Sequence, residues 1–232
     1  MRVTINGELL EAVFIKRLNR FLAEIEVQGN LHKAHVPNTG RMKELLVEGA
    51  RVIVRCISDG NRKTKYDLIM VYKGQDLVAI DAKLPNVLLE KALKENGIHP
   101  LEGFSHVQRE VRFGKSRFDL ALSNGSNLAF VEAKCVTYVG EDQAASFPDA
   151  PTERGRKHVL ELIDVVKENM RGAVVFIVQR EDALYFTPNR NIDPKFADAV
   201  TEAAKAGVEF YAFLCKVAPR EIKLWKPIPV IL

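Results

Sequence analysis

Cysteine is scarce in this sequence and poorly placed for cross-linking. Cys56, Cys135 and Cys215 are odd in number, far apart and in no CxxC pair. That excludes a disulfide framework or a cysteine zinc site and suits a reducing cytoplasm. No stretch approaches the roughly 18 apolar residues of a membrane helix. The start, MRVTINGELLEAVFIKR, has neither the apolar run nor the small-residue cleavage site of a signal peptide. With 14 Gly and 10 Pro the chain is not collagen-like, and 47% hydrophobic residues exclude disorder. P-loop, GxGxxG and nucleophile-elbow motifs are absent, as is any internal repeat or low-complexity linker. His32, His35, His99 and His106 show no metal-ligand spacing.

What is present is a chain of 232 residues, enough for one large or two small domains burying about 70% of the unfolded surface. Its net charge of +4 is unevenly spread: residues 1–84 hold 14 Lys and Arg against 10 Asp and Glu, and 85–232 hold 20 of each. The surplus therefore belongs to the first third, which permits a nucleic-acid partner without demanding one. Leu84–Pro85 is a natural boundary between a strand-like and a helix-like run, giving domains of 1–84 and 85–232.

Residues 1–84 read as short strands: 9–16, 20–27, 31–36, 52–58, 66–73 and 77–81, with a turn at Asp59-Gly60-Asn61 and a single helical turn at Arg41–Leu46. Five or six strands in about 80 residues describe a small closed barrel, the OB type foremost. The loop with Arg62, Lys63 and Lys65 is either a phosphate grip or a solubilising hairpin tip. Beyond Pro85 the pattern is α-β-β-β-α-β and then α-β-β, an α/β unit with a mixed sheet. Its helices run over 86–96 (capped by Gly97), from Thr152 to about Glu168, and from Asp193-Pro194 to Ala206. Its strands run over 107–113, 118–122, 128–136, 173–179, 208–216 and 221–225.

The chemistry-bearing residues sit in that unit. Asp119 lies in the second strand, and Glu132 and Lys134 lie in the third, on one face by strand period two. The Asn124-Gly125 hairpin brings Asp119 alongside. Two carboxylates and an ammonium among apolar neighbours are costly unless they pair or hold a metal. Mg²⁺ or Mn²⁺ suits Asp119 and Glu132, with Lys134 beside the attacking water or scissile phosphate. Asp, twelve residues, then Glu-x-Lys on this frame matches the PD-(D/E)xK nuclease pattern, although Phe118 stands where that pattern has Pro. In such nucleases a first-helix Glu often joins the metal. Glu90 is that candidate, or else the i,i+4 partner of Lys94. Glu110 is a second candidate, or else an ion-pair partner of Arg109 or Arg112.

Arg154, Arg156 and Lys157 crowd the start of the second helix, where the helix dipole disfavours cations and favours phosphate. They form either an anion site or a solvated turn. His158 reads as a partly exposed structural residue with no evident partner.

The stretches His35-Val36-Pro37-Asn38-Thr39-Gly40-Arg41-Met42 and Phe147-Pro148-Asp149-Ala150-Pro151-Thr152-Glu153-Arg154-Gly155-Arg156-Lys157-His158, with Val131-Glu132-Ala133-Lys134, resemble the sugar fermentation stimulation protein A (SfsA) family over nearly the whole chain. The resemblance implies an N-terminal OB barrel followed by a PD-(D/E)xK nuclease-like domain. It also implies DNA binding with little sequence preference and a link to sugar, especially maltose, metabolism. Asp119, Glu132 and Lys134 take the nuclease-site positions; Arg154, Arg156 and Lys157 take the basic helix start. One departure is Ala133-Lys134-Cys135, where relatives often carry Val-Lys-Ser.

Three readings follow. The chain is a metal-dependent nuclease, a DNA-binding regulator whose nuclease-like domain does not cleave, or a small-molecule binder with a structural carboxylate–lysine cluster. The expected partner is nucleic acid, most of all DNA, with no membrane. A homodimer is allowed, though no strip of sequence marks an interface.

Overall fold

The computed structural model describes residues 1–58, 62–95 and 98–232. The turn expected at Asp59-Gly60-Asn61 and the cap expected at Gly97 lie outside these residues. The first elements are strands β1 (Arg2–Thr4), β2 (Leu9–Asn19), β3 (Leu22–Val27), β4 (Asn30–His35), β5 (Arg51–Cys56), β6 (Tyr66–Lys73) and β7 (Asp76–Ala79). Period two is plain in β3, where Ala23, Ile25 and Val27 are buried and Glu24 and Glu26 turn outward. The order β4-β3-β2-β5-β6 closes through a parallel pairing of Ala34 with Tyr66 and His35 with Asp67. The result is a five-strand barrel of the OB type with β7 added beside β6. The turn after β4 plugs one end. The Leu45 and Leu46 amides donate to the Met42 carbonyl, and the Met42 and Leu45 side chains lie in the barrel core.

The chain continues through α1 (Leu84–Lys94), β8 (His106–Phe113), β9 (Ser116–Asn124), β10 (Asn127–Val136), β11 (Tyr138–Val139), β12 (Ala144–Phe147), α2 (Glu153–Lys167), β13 (Arg171–Val178), β14 (Tyr185–Pro188), α3 (Pro194–Lys205), β15 (Glu209–Ala218) and β16 (Glu221–Ile228). A seven-stranded mixed sheet runs β1-β16-β15-β13-β10-β9-β8. Its centre, β10-β13-β15, is parallel and its flanks are antiparallel. The apolar run Gly172–Val178 is buried on both faces, as a central parallel strand requires. The helix starts follow their capping residues. Thr152 Oγ1 accepts from the Gly155 amide, and Asp193 Oδ1 accepts from the Phe196 amide. Asp193 Oδ2 also accepts from the Thr152 amide, tying the two helix starts together.

Two features were not expected. β11, β12 and β14 form a separate small sheet of two- to four-residue strands, too short to show a period. And β1, which precedes the barrel strands, belongs to the large sheet and pairs with β16 at its edge. No helix among the described residues is long and apolar enough to cross a membrane.

The barrel and the sheet share a core. Ile53, Ile69, Met70 and Ala79 of the barrel pack with Leu89 of α1 and with Leu120, Val131, Val175 and Ile177 of the sheet. α2 and α3 cover the opposite face. Buried Gln179 stitches the joint, its side-chain amide donating to the Ala79 carbonyl at 3.0 Å and to Cys135 Sγ at 3.1 Å. At the rim, Asp149 Oδ2 accepts from the Met42 amide at 3.0 Å. Gly40 makes that approach feasible: a β-carbon there would lie 2.5 Å from an Asp149 oxygen. Gly40→Ala is therefore expected to cost about 1–3 kcal/mol, visible as a fall of several degrees in Tm. In a double-mutant cycle with Asp149→Ala, the two losses should sum to more than the loss in the double variant.

Candidate functional site

Strand pairing between β9 and β10 stops at Leu120 and Val131. Beyond it the Asp119 side chain takes over as acceptor, Oδ2 receiving the Ala133 amide at 2.9 Å. Oδ1 accepts from Asn86 Nδ2, in the first turn of α1, at 2.7 Å. One residue before Ala133, Glu132 is buried. Its Oε1 accepts from Lys134 Nζ and from His158 Nδ1, each at 2.6 Å. An ionised carboxylate only accepts, so the His158 ring carries its proton on Nδ1. Glu132 Oε2 is buried and has no hydrogen-bond partner.

The electrostatics divide the two acids. Burial pushes Glu132 up, but Lys134 and His158 outweigh it and hold the group well below the usual carboxylate range. Burial and the neighbouring Glu132 charge push Asp119 up to about 6, against donation from Ala133 and attraction to Lys134. A raised folded-state value favours the protonated form, so the associated stability is complete below the ordinary value of 3.8 and is lost as pH rises through 6. At neutral pH the ionised pair therefore stands at a cost that a cation would relieve.

The residues present fit a hard divalent cation. Glu132 Oε2 is an orphaned buried acceptor, and each Asp119 oxygen keeps a lone pair beyond its one donor. Two carboxylates with water and phosphate suffice for Mg²⁺. Among the described residues no group of three His, Cys, Asp or Glu side chains is placed to hold a metal. Glu90 is not brought to the pair. It lies one turn beyond Asn86 and pairs with Lys94 Nζ at 2.8 Å and Arg109 at 3.6 Å. Glu110 pairs with Arg117 at 2.8 Å rather than with Arg109 or Arg112.

His158 corrects the expectation of a partly exposed residue without a partner. It is buried against Glu132 because helical spacing from Gly155 to Leu162 turns it inward with Val159. That spacing was the available signal. Asn86 carried none, since a polar residue in a first helical turn is ordinary.

The basic candidates separate too. Arg62 folds back onto buried Asp67, donating to Oδ1 at 2.7 Å, while Arg55 donates to Oδ2 at 2.9 Å. Lys63 and Lys65 are exposed on the same loop. At the start of α2, Lys157 lies 3.8 Å from Glu161, Arg154 is exposed and Arg156 is half-buried. Between the units a cleft of about 350 Å³ is lined by Arg20, Asn38 and Thr39 of the barrel and by Cys135, Ser146 and the 147–152 segment. The two motif stretches thus meet across it. Arg17, beside the cleft, spends all five guanidinium N–H groups on the carbonyls of Asn19, Arg20, Asn38, Gly40 and Arg41. It shapes the motif loop and has no donor left for a ligand. Arg20, absent from the sequence-based candidates, lies over the exposed Phe21 ring at the β2–β3 tip.

Glu132→Ala would leave Lys134 and His158 buried without their acceptor, and a loss of about 3–5 kcal/mol is expected. Glu132→Gln retains an acceptor oxygen and should cost less. Urea unfolding of both variants measures the difference.

Two family models match the chain: the SfsA N-terminal OB domain over residues 15–80 and the sugar fermentation stimulation protein RE domain over residues 83–221. A sugar fermentation stimulation protein homolog of Alkaliphilus metalliredigens is 57% identical over 218 residues, 94% of each chain. One from Caldanaerobacter subterraneus is 45% identical over 228 residues, covering 98% of this chain and 99% of the relative. Among solved structures, that of Pyrococcus furiosus SfsA in complex with Ca²⁺ superposes with a TM-score of 0.90 at 30% identity over the whole of both chains.

Proposed function

The chain belongs to the SfsA family, and from that premise we propose that it binds DNA with little sequence preference and holds a divalent cation at Asp119 and Glu132. The observation that carries the cation site is Glu132 Oε2, buried and without a partner beside a second carboxylate. The Ca²⁺ complex of Pyrococcus furiosus SfsA supports the same class of ligand, since Ca²⁺ and Mg²⁺ both take oxygen donors. DNA binding is supported by the fold and the charge. OB barrels grip oligonucleotides with their first hairpin and the loop between their last two strands. Here those carry Arg20 and Phe21, and Lys63 and Lys65, on the unit that holds the chain's positive surplus. The relatives' name ties them to sugar fermentation, and a regulatory role at DNA is the form we extend to this chain.

A second reading, phosphodiester hydrolysis, is favoured by Lys134. Its ammonium is fixed 2.6 Å from Glu132 with two further N–H donors to offer a water or a phosphate oxygen. His158 holds the same Glu132 oxygen, which leaves Oε2 available to a ligand. Asn86 and the Ala133 amide keep Asp119 in place. A bound cation would supply Lewis-acid polarisation of the phosphate and a more acidic water.

The cation site makes a pH-dependent prediction. Asp119 must lose its proton to ligate, and its value is about 6. Ca²⁺ or Mn²⁺ affinity by calorimetry should therefore fall about tenfold from pH 7 to pH 5. It should be lost in Asp119→Ala. Unchanged affinity in that variant would remove the site from the two carboxylates.

DNA binding and cleavage are separated by one set of measurements. DNA affinity, followed by anisotropy, should fall steeply with salt. Lys63→Ala with Lys65→Ala should flatten the salt slope by about 1 per lost phosphate contact. Incubation of single- and double-stranded DNA and RNA with Mg²⁺ or Mn²⁺ decides the second reading. Cleavage abolished by Asp119→Ala and Glu132→Ala would establish an enzyme; binding without cleavage of any substrate would leave a DNA-binding protein.

A further inference from the structure

The β15–β16 hairpin of the large sheet carries a cluster with no part in the carboxylate site or the barrel loops. Trp225 is the chain's sole tryptophan and is 40% exposed. Lys216 Nζ lies 4.4 Å and Lys226 Nζ 4.5 Å from its ring centroid. Lys216 stands directly opposite Lys223 across β15 and β16. Like charges in that position destabilise a sheet. Among the described residues none of the three lysines has a carboxylate partner, and the nearby Glu221 is taken by Arg2.

The backbone presents this cluster outward. Phe213 pairs with Pro227 and Cys215 with Leu224, so Leu214 alone opposes both Trp225 and Lys226. This is a β-bulge, a device that re-aims side chains. On a regular strand the two would alternate, one toward the core. Here both are exposed, while Ile222 and Leu224 stay buried.

We propose that Trp225 is a stacking platform for an unpaired base of single-stranded nucleic acid, with Lys216, Lys223 and Lys226 taking the flanking phosphates. The inference rests on the reading of this chain as a nucleic-acid binder and adds a contact surface on the second unit, apart from the barrel. Magnitudes favour it. An exposed cation–π contact contributes about 0.5–1 kcal/mol, whereas a base stacked on an aromatic ring contributes about 1–3 kcal/mol. A base therefore displaces a lysine from the ring and frees its ammonium for phosphate. Duplex DNA keeps its base faces covered, so the platform selects single strands. A membrane surface fits less well: it needs apolar residues around the indole to insert, and the neighbours here are lysines.

The sole tryptophan is its own reporter. A fluorescein-labelled thymidine homopolymer is titrated while anisotropy reports binding and indole emission reports stacking. Quenching that saturates with the anisotropy is expected. Trp225→Leu should weaken binding about tenfold, and Trp225→Phe should retain most of it. Lys216→Gln with Lys223→Gln should flatten the salt slope by about 2, with thermal melts confirming that each variant is folded. If anisotropy saturates while the emission is unchanged and Trp225→Leu binds equally well, the platform is overturned and binding elsewhere stands. If anisotropy stays flat with single and double strands alike, nucleic-acid binding falls and the platform with it. Quenching by anionic phospholipid vesicles but not by the oligonucleotide overturns it in favour of a membrane surface.

Discussion

A carboxylate taken out of water needs compensation on both of its oxygens, and Glu132 receives it on one. Lys134 and His158 converge on Oε1 and leave Oε2 bare in the interior. Burying an ion carries a cost of several kcal/mol that a partial set of partners does not fully offset. Much of the second unit is arranged around that imbalance. β10 supplies the acid and the lysine two residues apart, α2 is capped and tied so that His158 points inward, and α1 reaches across with Asn86 to fix the second acid.

The same economy governs the joint between barrel and sheet. One barrel wall and one sheet face have merged into a single apolar core, so the two units are not independent bodies that happen to touch. Inside this joint the Gln179 side-chain amide donates to the Ala79 carbonyl, while its own side-chain oxygen is buried without a hydrogen-bond partner. The motif loop of the barrel is held by Arg17 from one side and by Asp149 from the other. These motif residues act as fasteners, which accounts for their specificity without assigning each of them to a ligand.

Legibility in the sequence followed periodicity and capping chemistry. The alternation in β3, the apolar run of β13, the Thr152 and Asp193 caps and the Asn124-Gly125 hairpin all state their structure locally, so the barrel, the mixed sheet and the grouping of Asp119, Glu132 and Lys134 could be read. Contacts set by tertiary approach could not. Nothing local in Asn86 points to Asp119, nothing in Arg62 points to Asp67, and the three-residue β1 has no period with which to announce a partner more than two hundred residues away. His158 lay between these cases. Its inward phase on α2 was readable, but the partner that gives it meaning comes from another strand.

That β1 pairing changes what kind of object the barrel is. The chain runs through the large sheet as β1, departs after Thr4 to build the barrel, and returns to the sheet unit at α1. Topologically the barrel is an insert, anchored by two chain crossings instead of one. A module hung from a single thread can swivel; one held by two crossings and a merged core is fixed in bearing. Dissection is constrained accordingly. A fragment starting at Pro85 would strip the strand that covers β16 and leave its edge open to pairing with other chains. A fragment that keeps the sheet whole must therefore keep β1 with it.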